Sequence, residues 1–452
     1  MKRNSFIYCL GIGAFAICSS LISCKTQQQE IQSSTYKFDF GTGKIAEGYH
    51  QVRPENMYDS AKGFGFLDAP ELEAADRGGN VLENDFLSSK SPFFFTVDVP
   101  EGNYDVKVIL GDKEGTSSST IRVENRRLMV GKTETKSGEI IEKNFSVHIR
   151  YPEIAGTNKK VKLKSREHDY LHWDHQLTIE FNGDMPKVAG IEITPNNTAP
   201  TVFLAGNSTV VDQANEPWAA WGQMFPAFFE PGKVVIGNHA ESGLTLKAFR
   251  WHNRLENILS MMKPGDYLFI EFTHNDQKPG NAHVEPFTSY QEVIREFMAA
   301  AKEKGGIPVL VTSMHRRSFD ENGKIINTLE EYPEAMRQLA EEENVALIDL
   351  NAMSKTLYEA WGETESKKAF VHFPAGTFEG QEEDFADNTH FSTYGAYQLA
   401  SCVVEGLKKT DLDLVKWIKP DIPTYNPANP PAFEEFYWPL SPRVSIIKPD
   451  GN

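Results

Sequence analysis

Cysteine is scarce: there are four in 452 residues, three of them within the first 24, which leaves no disulfide framework to hold a fold. No Cys/His cluster has the spacing of a metal-ligand set either, so the expected chemistry uses neither metal nor cofactor. Positive charge is also short, since 46 Lys and Arg face 63 Asp and Glu for a formal charge of -17. A nucleic acid would be repelled by that balance, and no basic patch offsets it. Lys159, Lys160, Lys162 and Lys164 come nearest to one, and they alternate as the solvent face of a strand would. Apolar runs long enough for a stable membrane span are missing. A chain of this length exceeds one ordinary core, and two domains of different kinds are expected.

What the first residues do contain is a basic start at Lys2 and Arg3, an apolar stretch and then small residues, the layout of an export signal over 1–23. The stretch LISC, Leu21 to Cys24, resembles a bacterial lipobox, in which cleavage makes the cysteine the first residue and acyl chains are attached to it. The resemblance implies lipidation of Cys24 and an exported protein held in the bacterial cell envelope, at the outer membrane or the periplasmic face. Cys9 and Cys18 would leave with the signal, and Cys402 would then have no disulfide partner. Residues 24–35, rich in Gln and Ser, read as a linker.

From 36 to 195 short alternating runs broken by Gly, Asn and Asp predict β structure. In SPFFFTVDVPEGNYDVKVILGD, Phe93, Phe95, Val97 and Val99 alternate, Glu101-Gly102-Asn103 turns, and Tyr104, Val106, Val108 and Leu110 resume, which predicts a hairpin with one buried face. LTIEFNG and GIEITPN close a region without helical period, and a β-sandwich is expected. PNNTAPT, 195–201, reads as a linker. Beyond it the apolar runs TVFLAG, KVVIGN, DYLFIEF, IPVLVTS and VALIDL are each followed by a helical pattern. Tyr290, Val293, Ile294, Phe297, Met298 and Ala301 repeat at helical spacing, as do Tyr332, Ala335, Met336, Leu339 and Ala340. Continuous apolar strands between helices mean a parallel sheet covered on both faces. Residues 201–410 are therefore expected to form a three-layer α/β domain on a parallel five-stranded sheet. The tail 411–452 carries Pro420, Pro423, Pro427, Pro430 and Pro431, and is expected to lie extended across a domain surface.

Ligands of open parallel sheets bind outside the carboxyl ends of the strands. Ser208 follows the first strand, NHAESGLT the second and THNDQ the third, while DNTHFSTYGAYQLA, with Asp387 and His390, precedes the last helix. A serine hydroxyl becomes a nucleophile when a histidine takes its proton, and a carboxylate fixes the tautomer of that histidine. Ser208, His390 and Asp387 are the candidates, with Asp276 as an alternative acid. The oxyanion of an attacked carbonyl needs donors, for which the backbone N–H groups of Ser208 and Gly243 and the Asn275 amide are placed.

These four segments resemble the four blocks of the SGNH hydrolase superfamily. WAAWGQMFPAFF, HNDQ, PVLVTSMHRR and DNTHFSTYGAYQLA resemble, more narrowly, bacterial rhamnogalacturonan acetylesterases. The resemblance implies a flavodoxin-like fold, a Ser-His-Asp esterase made of Ser208, His390 and Asp387, an oxyanion hole of Ser208, Gly243 and Asn275, and acetylated pectic polysaccharide as substrate. YKFDFG, GYHQV and KGFGF resemble galactose-binding-like modules, in which Tyr170 and Trp173 are candidates for stacking on sugars or for packing. Three positions depart from the SGNH pattern: Asn207 stands where Asp is usual, Thr273 where Gly is usual, and Leu244 where Arg is common. Thr273 is expected to narrow the acyl space and Leu244 to alter a rim contact. His239 and His274 are candidate substrate contacts, and with Glu241 and Gln277 they argue for a wet, sugar-sized cleft. Trp218 and Trp221 are expected to pack. Two alternatives remain: another SGNH activity such as a lipase, with an apolar acyl tunnel, and a non-catalytic glycan-binding surface lipoprotein.

Overall fold

The computed structural model describes residues 35–450 apart from Ala69 and Asn80, so the export signal, Cys24 and most of the adjoining linker lie outside the described residues. Strands β1 (Tyr36–Phe40), β2 (His50–Val52), β3 (Phe64–Leu67), β4 (Glu73–Asp76), β5 (Asp85–Ser88) and β6 (Phe93–Asp98) open the chain. They are followed by β7 (Gly102–Asp112), β8 (Ser117–Val123), β9 (Arg127–Thr135), β10 (Glu139–Ile149), β11 (Gln176–Met185) and β12 (Lys187–Pro195). One sheet runs β10-β7-β12-β1-β2 with β4 and β5 attached through β12, and a second runs β3-β6-β11-β8-β9. Between them lies a core in which Phe38, Phe95, Val106, Val108, Phe181 and Ile191 are buried.

The hairpin expected from Phe93 to Leu110 does not form. Strand β6 pairs with β3 and β11, whereas β7 pairs with β10 and β12, so the two face each other across the core. Alternation decides which side chains point inward, and that is the same for a hairpin and for a chain that changes sheets. The single buried face is also corrected: Phe94 and Thr96 on the outer face of β6 are buried too, and the Arg443 guanidinium sits 5.3 Å from the Phe94 ring centroid. Lys159 to Lys164 form no strand, only an isolated bridge from Lys160 to Glu153, and Lys164 turns back to donate to the Ser242 carbonyl at 2.5 Å.

The second half is built on β13 (Thr201–Gly206), β14 (Val235–Asn238), β15 (Tyr267–Glu271), β16 (Ile307–Val311) and β17 (Ala346–Ile348), parallel and in the order β14-β13-β15-β16-β17. This is the flavodoxin-like order, with its switch point between β13 and β15. Both faces are covered: Val202, Leu204, Tyr267 and Phe269 join one apolar cluster, while Phe203, Ala205, Leu268 and Ile270 join the other. Helices α1 (Trp221–Met224), α2 (Leu246–Trp251), α3 (Arg254–Met261), α4 (Gln291–Glu303), α5 (Tyr332–Glu342), α6 (Leu350–Glu365) and α7 (Thr393–Leu407) surround it. On α4 the residues Val293, Ile294, Phe297, Met298 and Ala301 are buried, the stripe their spacing predicts. Each large apolar side chain so buried contributes about 1.5–3 kcal/mol.

The connection after β13 departs from expectation. Instead of a full helix it is a loop, the single turn of α1 and a 3-10 turn at Phe225–Phe228. Trp221, Phe225, Phe228 and Phe229 are all buried, so no solvent face remains for an amphipathic helix. A short antiparallel pair, β18 (Phe370–Phe373) and β19 (Phe385–Phe391), precedes α7.

The described residues all belong to one compact unit. The linker is part of its packing: Asn196 donates to both Asp105 carboxylate oxygens, at 2.9 and 3.0 Å. The turn between β8 and β9 carries positive φ at Glu124 and Arg126 (55° and 57°), a conformation uncommon for such residues. It directs Arg126 to Glu216 at 2.5 Å and Arg127 to Asp212 at 2.8 Å, with all four side chains buried. Asp212 and Glu216 lie on the loop after β13, so the sandwich grips the loop that carries Ser208. The proline-rich tail runs over both halves. Trp438 donates to Glu216 at 2.9 Å beneath the Arg122 guanidinium, which lies 3.9 Å from its ring centroid.

Candidate active site

The strand β13 ends in a turn held by its own side chains. Asn207 Oδ1 accepts from the Thr209 backbone N–H (3.1 Å) and hydroxyl (2.9 Å), and the Val210 and Val211 N–H groups both donate to the Asn207 carbonyl. The Asn207 side-chain oxygen Oδ1 thus makes the contacts one oxygen of a carboxylate would make there. Gly206 is required by close packing, because a Cβ there would lie 2.5 Å from Val210 Cγ2. Under the turn lies Glu271, fully buried, which accepts from Ser313 (2.6 Å), Trp221 (3.0 Å) and Thr209 (3.2 Å). Burial raises its carboxyl above the usual range, and those three donors offset only part of that rise.

The loops at the strand ends are tied together. Gln213 donates to the Ser208 carbonyl at 3.1 Å and to the Ser242 hydroxyl at 3.3 Å, joining the first segment to the second. Asn275 Nδ2 donates to the Leu244 carbonyl at 3.1 Å, joining the third to the second. Gly243 has φ +78°, and a Cβ there would come within 2.6 Å of Asp450. Ala219 N–H donates to the Phe391 carbonyl at 2.9 Å, and the Trp218 and His390 ring centroids are 6.0 Å apart, so the Ser208 loop is stitched to the strand that carries His390.

On β19, Asp387 Oδ1 accepts the backbone N–H of Thr389 (2.8 Å) and of His390 (3.0 Å), while Oδ2 accepts from His390 Nδ1 at 2.7 Å. Burial alone would raise the Asp387 carboxyl, but the imidazole bond and the two N–H donors hold it well below the usual carboxylate range. Donation from Nδ1 leaves Nε2 as the acceptor nitrogen. Both His390 Nε2 and Ser208 Oγ are buried without a hydrogen-bond partner among the described residues. A buried hydroxyl and a buried acceptor nitrogen without partners are costly in a purely structural role, and such groups collect at reactive sites.

Asp276 is placed elsewhere. It accepts from the Leu246 N–H at 2.8 Å, and burial pushes its carboxyl up to about 7. Several expected substrate contacts lie in the interior. His239 is enclosed by the rings of Phe203, His148 and Trp173 in the seam between the halves, and burial among Arg150 and Arg254 keeps its imidazole neutral. Leu244 is a core residue rather than a rim contact. His274 is buried, and its carbonyl accepts from Arg316 at 3.1 Å. Thr273 is buried, with its hydroxyl against the Phe272 carbonyl and 3.2 Å from the Tyr290 hydroxyl. Trp173 lies under the Arg150 guanidinium at 4.5 Å and donates to Glu167 at 3.0 Å, so its face is covered. Trp218 and Trp221 are both packed.

A polar cavity with no histidine in its lining lies where the two halves and the tail meet. A cavity of about 310 Å³ is lined by Arg166 and Tyr170 from the sandwich half, Gln213, Trp218 and Ser242 from the α/β half, and Lys448 and Asp450 from the tail. Arg166 and the tail gave no site signal in the sequence, because an arginine that continues the basic alternation of Lys160, Lys162 and Lys164 and a charged proline-rich end both read as solvated.

A parallel sheet in this order, with Ser208 and Asn275 on loops at the strand ends and His390 on β19 bonded to the Ser208 loop, defines the SGNH class of ester hydrolases. Comparison with known proteins places the chain within it. Residues 204–396 match the GDSL-like lipase/acylhydrolase family, and residues 36–140 match the beta-agarase/YXIM esterase-like, galactose-binding domain-like family. A rhamnogalacturonan acetylesterase of Bacillus subtilis is 46% identical over 215 residues, covering 47% of this chain and 91% of that protein. The uncharacterized esterase YxiM of the same organism is 28% identical over 387 residues, covering 84% of this chain and 92% of that one. A solved structure of Bacillus subtilis YxiM superposes with a TM-score of 0.45 at 26% identity, covering 84% of this chain and all of that one. The chain belongs to the GDSL-like lipase/acylhydrolase family, and it is a carboxylic-ester hydrolase.

Proposed function

We propose that the protein removes O-acetyl groups from a pectic polysaccharide of the rhamnogalacturonan type, with Ser208 as nucleophile, His390 as general base and Asp387 as the carboxylate that orients it. The observation that carries this reading is the Asp387–His390 bond of 2.7 Å, which leaves His390 Nε2 without a partner on a strand bonded to the loop that carries the equally unpartnered Ser208 hydroxyl. His390 takes the Ser208 proton as Oγ attacks the acetyl carbonyl, and then returns it to the departing sugar oxygen. The Ser208 and Gly243 N–H groups and the Asn275 amide stabilise the oxyanion. Water then releases acetate from the acyl-enzyme by the same path. The substrate class is supported by the acetylesterase relative and by the polar lining of the cavity, which suits a sugar better than an acyl chain.

The setting proposed is the bacterial cell envelope, with tethering through Cys24 resting on residues 1–24 of the sequence. Acetate release from acetylated rhamnogalacturonan, acetylated xylan and an octanoyl ester, each run beside Ser208→Ala, tests the reading. Release from the pectic polymer at the highest kcat/KM is the expected result. Equal rates on the octanoyl ester, with no gain from any polysaccharide, would replace it with the lipase reading.

A further inference from the structure

We infer that Lys164 and Arg166 form a carboxylate-binding subsite beside the catalytic serine, so that the preferred substrate carries a uronate next to the acetylated position. The inference rests on the esterase reading above and adds what the sandwich half contributes to it.

A carboxylate of the chain itself already occupies the place. Asp450 Oδ2 accepts from Arg166 Nη1 at 2.6 Å and from Lys164 Nζ at 2.9 Å. The two cations are anchored on the α/β half rather than free in solvent. Lys164 donates to the Ser242 carbonyl at 2.5 Å, and Arg166 donates to the same carbonyl at 3.1 Å and to the buried Glu241 carboxylate at 2.5 Å. Ser242 precedes Gly243, the residue whose N–H is assigned to the oxyanion, and Asp450 packs over that glycine. A carboxylate at this point therefore lies against Gly243 and at the wall of the 310 Å³ cavity.

Three features make this a ligand position rather than an ordinary surface pair. Arg166 is fixed by Glu241, so its remaining Nη1 is preorganised toward the cavity, and a planar guanidinium with a neighbouring ammonium suits a carboxylate. The Asp450 side chain is half-exposed, at 53%, whereas Lys164 and Arg166 are 21% and 32% exposed, so the carboxylate is the partner at the solvent side and the one that can leave. Lys448, on the same tail segment, lies 3.3 Å from Asp387 and adds a further positive charge at the cleft. Asp450 thus stands in for the uronate, and substrate binding exchanges one carboxylate for another without leaving the cations unpaired.

The test uses the full chain and three probes: an O-acetylated oligogalacturonide, an O-acetylated xylo-oligosaccharide of matched length, and an aryl acetate. The quantity read is the ratio of kcat/KM for the acidic over the neutral oligosaccharide. Lys164→Gln and Arg166→Gln should each lower that ratio about tenfold, the scale of one lost charge-assisted hydrogen bond. Asp450→Asn, which removes the competitor and leaves the cations in place, should raise it, and added salt should lower it in the wild type. A ratio that none of the three substitutions changes, in proteins that still hydrolyse the aryl acetate, overturns the subsite and leaves the esterase reading intact. Failure of the wild type to hydrolyse any of the three probes overturns the esterase reading itself.

Discussion

Arg127 of the sandwich half and Asp212 of the α/β half form a fully buried ion pair, with Nη2 2.8 Å and Nε 2.9 Å from Asp212 Oδ2. The other carboxylate oxygen accepts from Asn238 at 2.8 Å, at the end of β14. The pair thus fixes the Ser208 loop from two sides. Removing one member leaves a buried charge without its partner, which costs about 3–5 kcal/mol. Arg127→Met is expected to lose stability on that scale in urea denaturation, and Arg127→Met with Asp212→Leu to recover most of it. A loss below about 1 kcal/mol for the single variant would place the pair among weak surface bridges.

Asn275→Ala is expected to reduce kcat by about 10²- to 10³-fold, corresponding to about 2.7–4 kcal/mol for a lost oxyanion donor. KM should change little, because the donor acts on charge that develops only in the transition state. An effect confined to KM would make Asn275 a ground-state contact instead.

Asp276 supplies a pH dependence of known sign. Burial holds its folded-state carboxyl up at about 7, against about 3.9 in the unfolded chain. Between those values the folded state binds the extra proton, so this group's stability contribution is complete at low pH and is lost as pH rises through the folded value. The Asp276→Asn variant should lose less stability than the wild type when urea midpoints are compared at about pH 5 and about pH 7. Parallel profiles would contradict the burial argument. The same variant should keep more esterase activity than Asp387→Asn, and the reverse order would transfer the acid role to Asp276.

Much of this architecture was legible in the sequence, for reasons that differ between the halves. Two-sided burial of a parallel sheet leaves continuous apolar runs, and TVFLAG and DYLFIEF became β13 and β15 with alternate residues in opposite clusters. In the sandwich, alternation marked the inward residues of β6 and β7 but carried no information on strand partners, and the two fell in different sheets. Asp387 and His390 were legible because their contact is local, three residues apart. Arg126, Arg127 and Arg166 were not, because a charged residue in a turn ordinarily faces water, and only the second half of the chain buries the first two and draws the third, still 32% exposed, to Glu241. His239 and Leu244 misled for the converse reason: they lie near the second segment in sequence, but their side chains point into the interior.

Cys24 lies outside the described residues, and its role rests on LISC. With the proposed acyl anchor on Cys24, Cys24→Ser is expected to move the protein from the membrane to the soluble envelope fraction, since that proposal puts the whole anchor on one residue. Retention of the variant in the membrane would point to an uncleaved segment or a protein partner.

The central claim is that Ser208 is acylated during turnover, and the direct measurement is peptide mass spectrometry of enzyme quenched with acid while saturated with an aryl acetate. The expected result is one acetyl group on the peptide containing Ser208, formed in a rapid burst. The group should be absent in Ser208→Ala and strongly reduced in His390→Ala. Acetate release at the wild-type rate by Ser208→Ala, or an acetyl group trapped on a different residue of the wild type, would contradict the account.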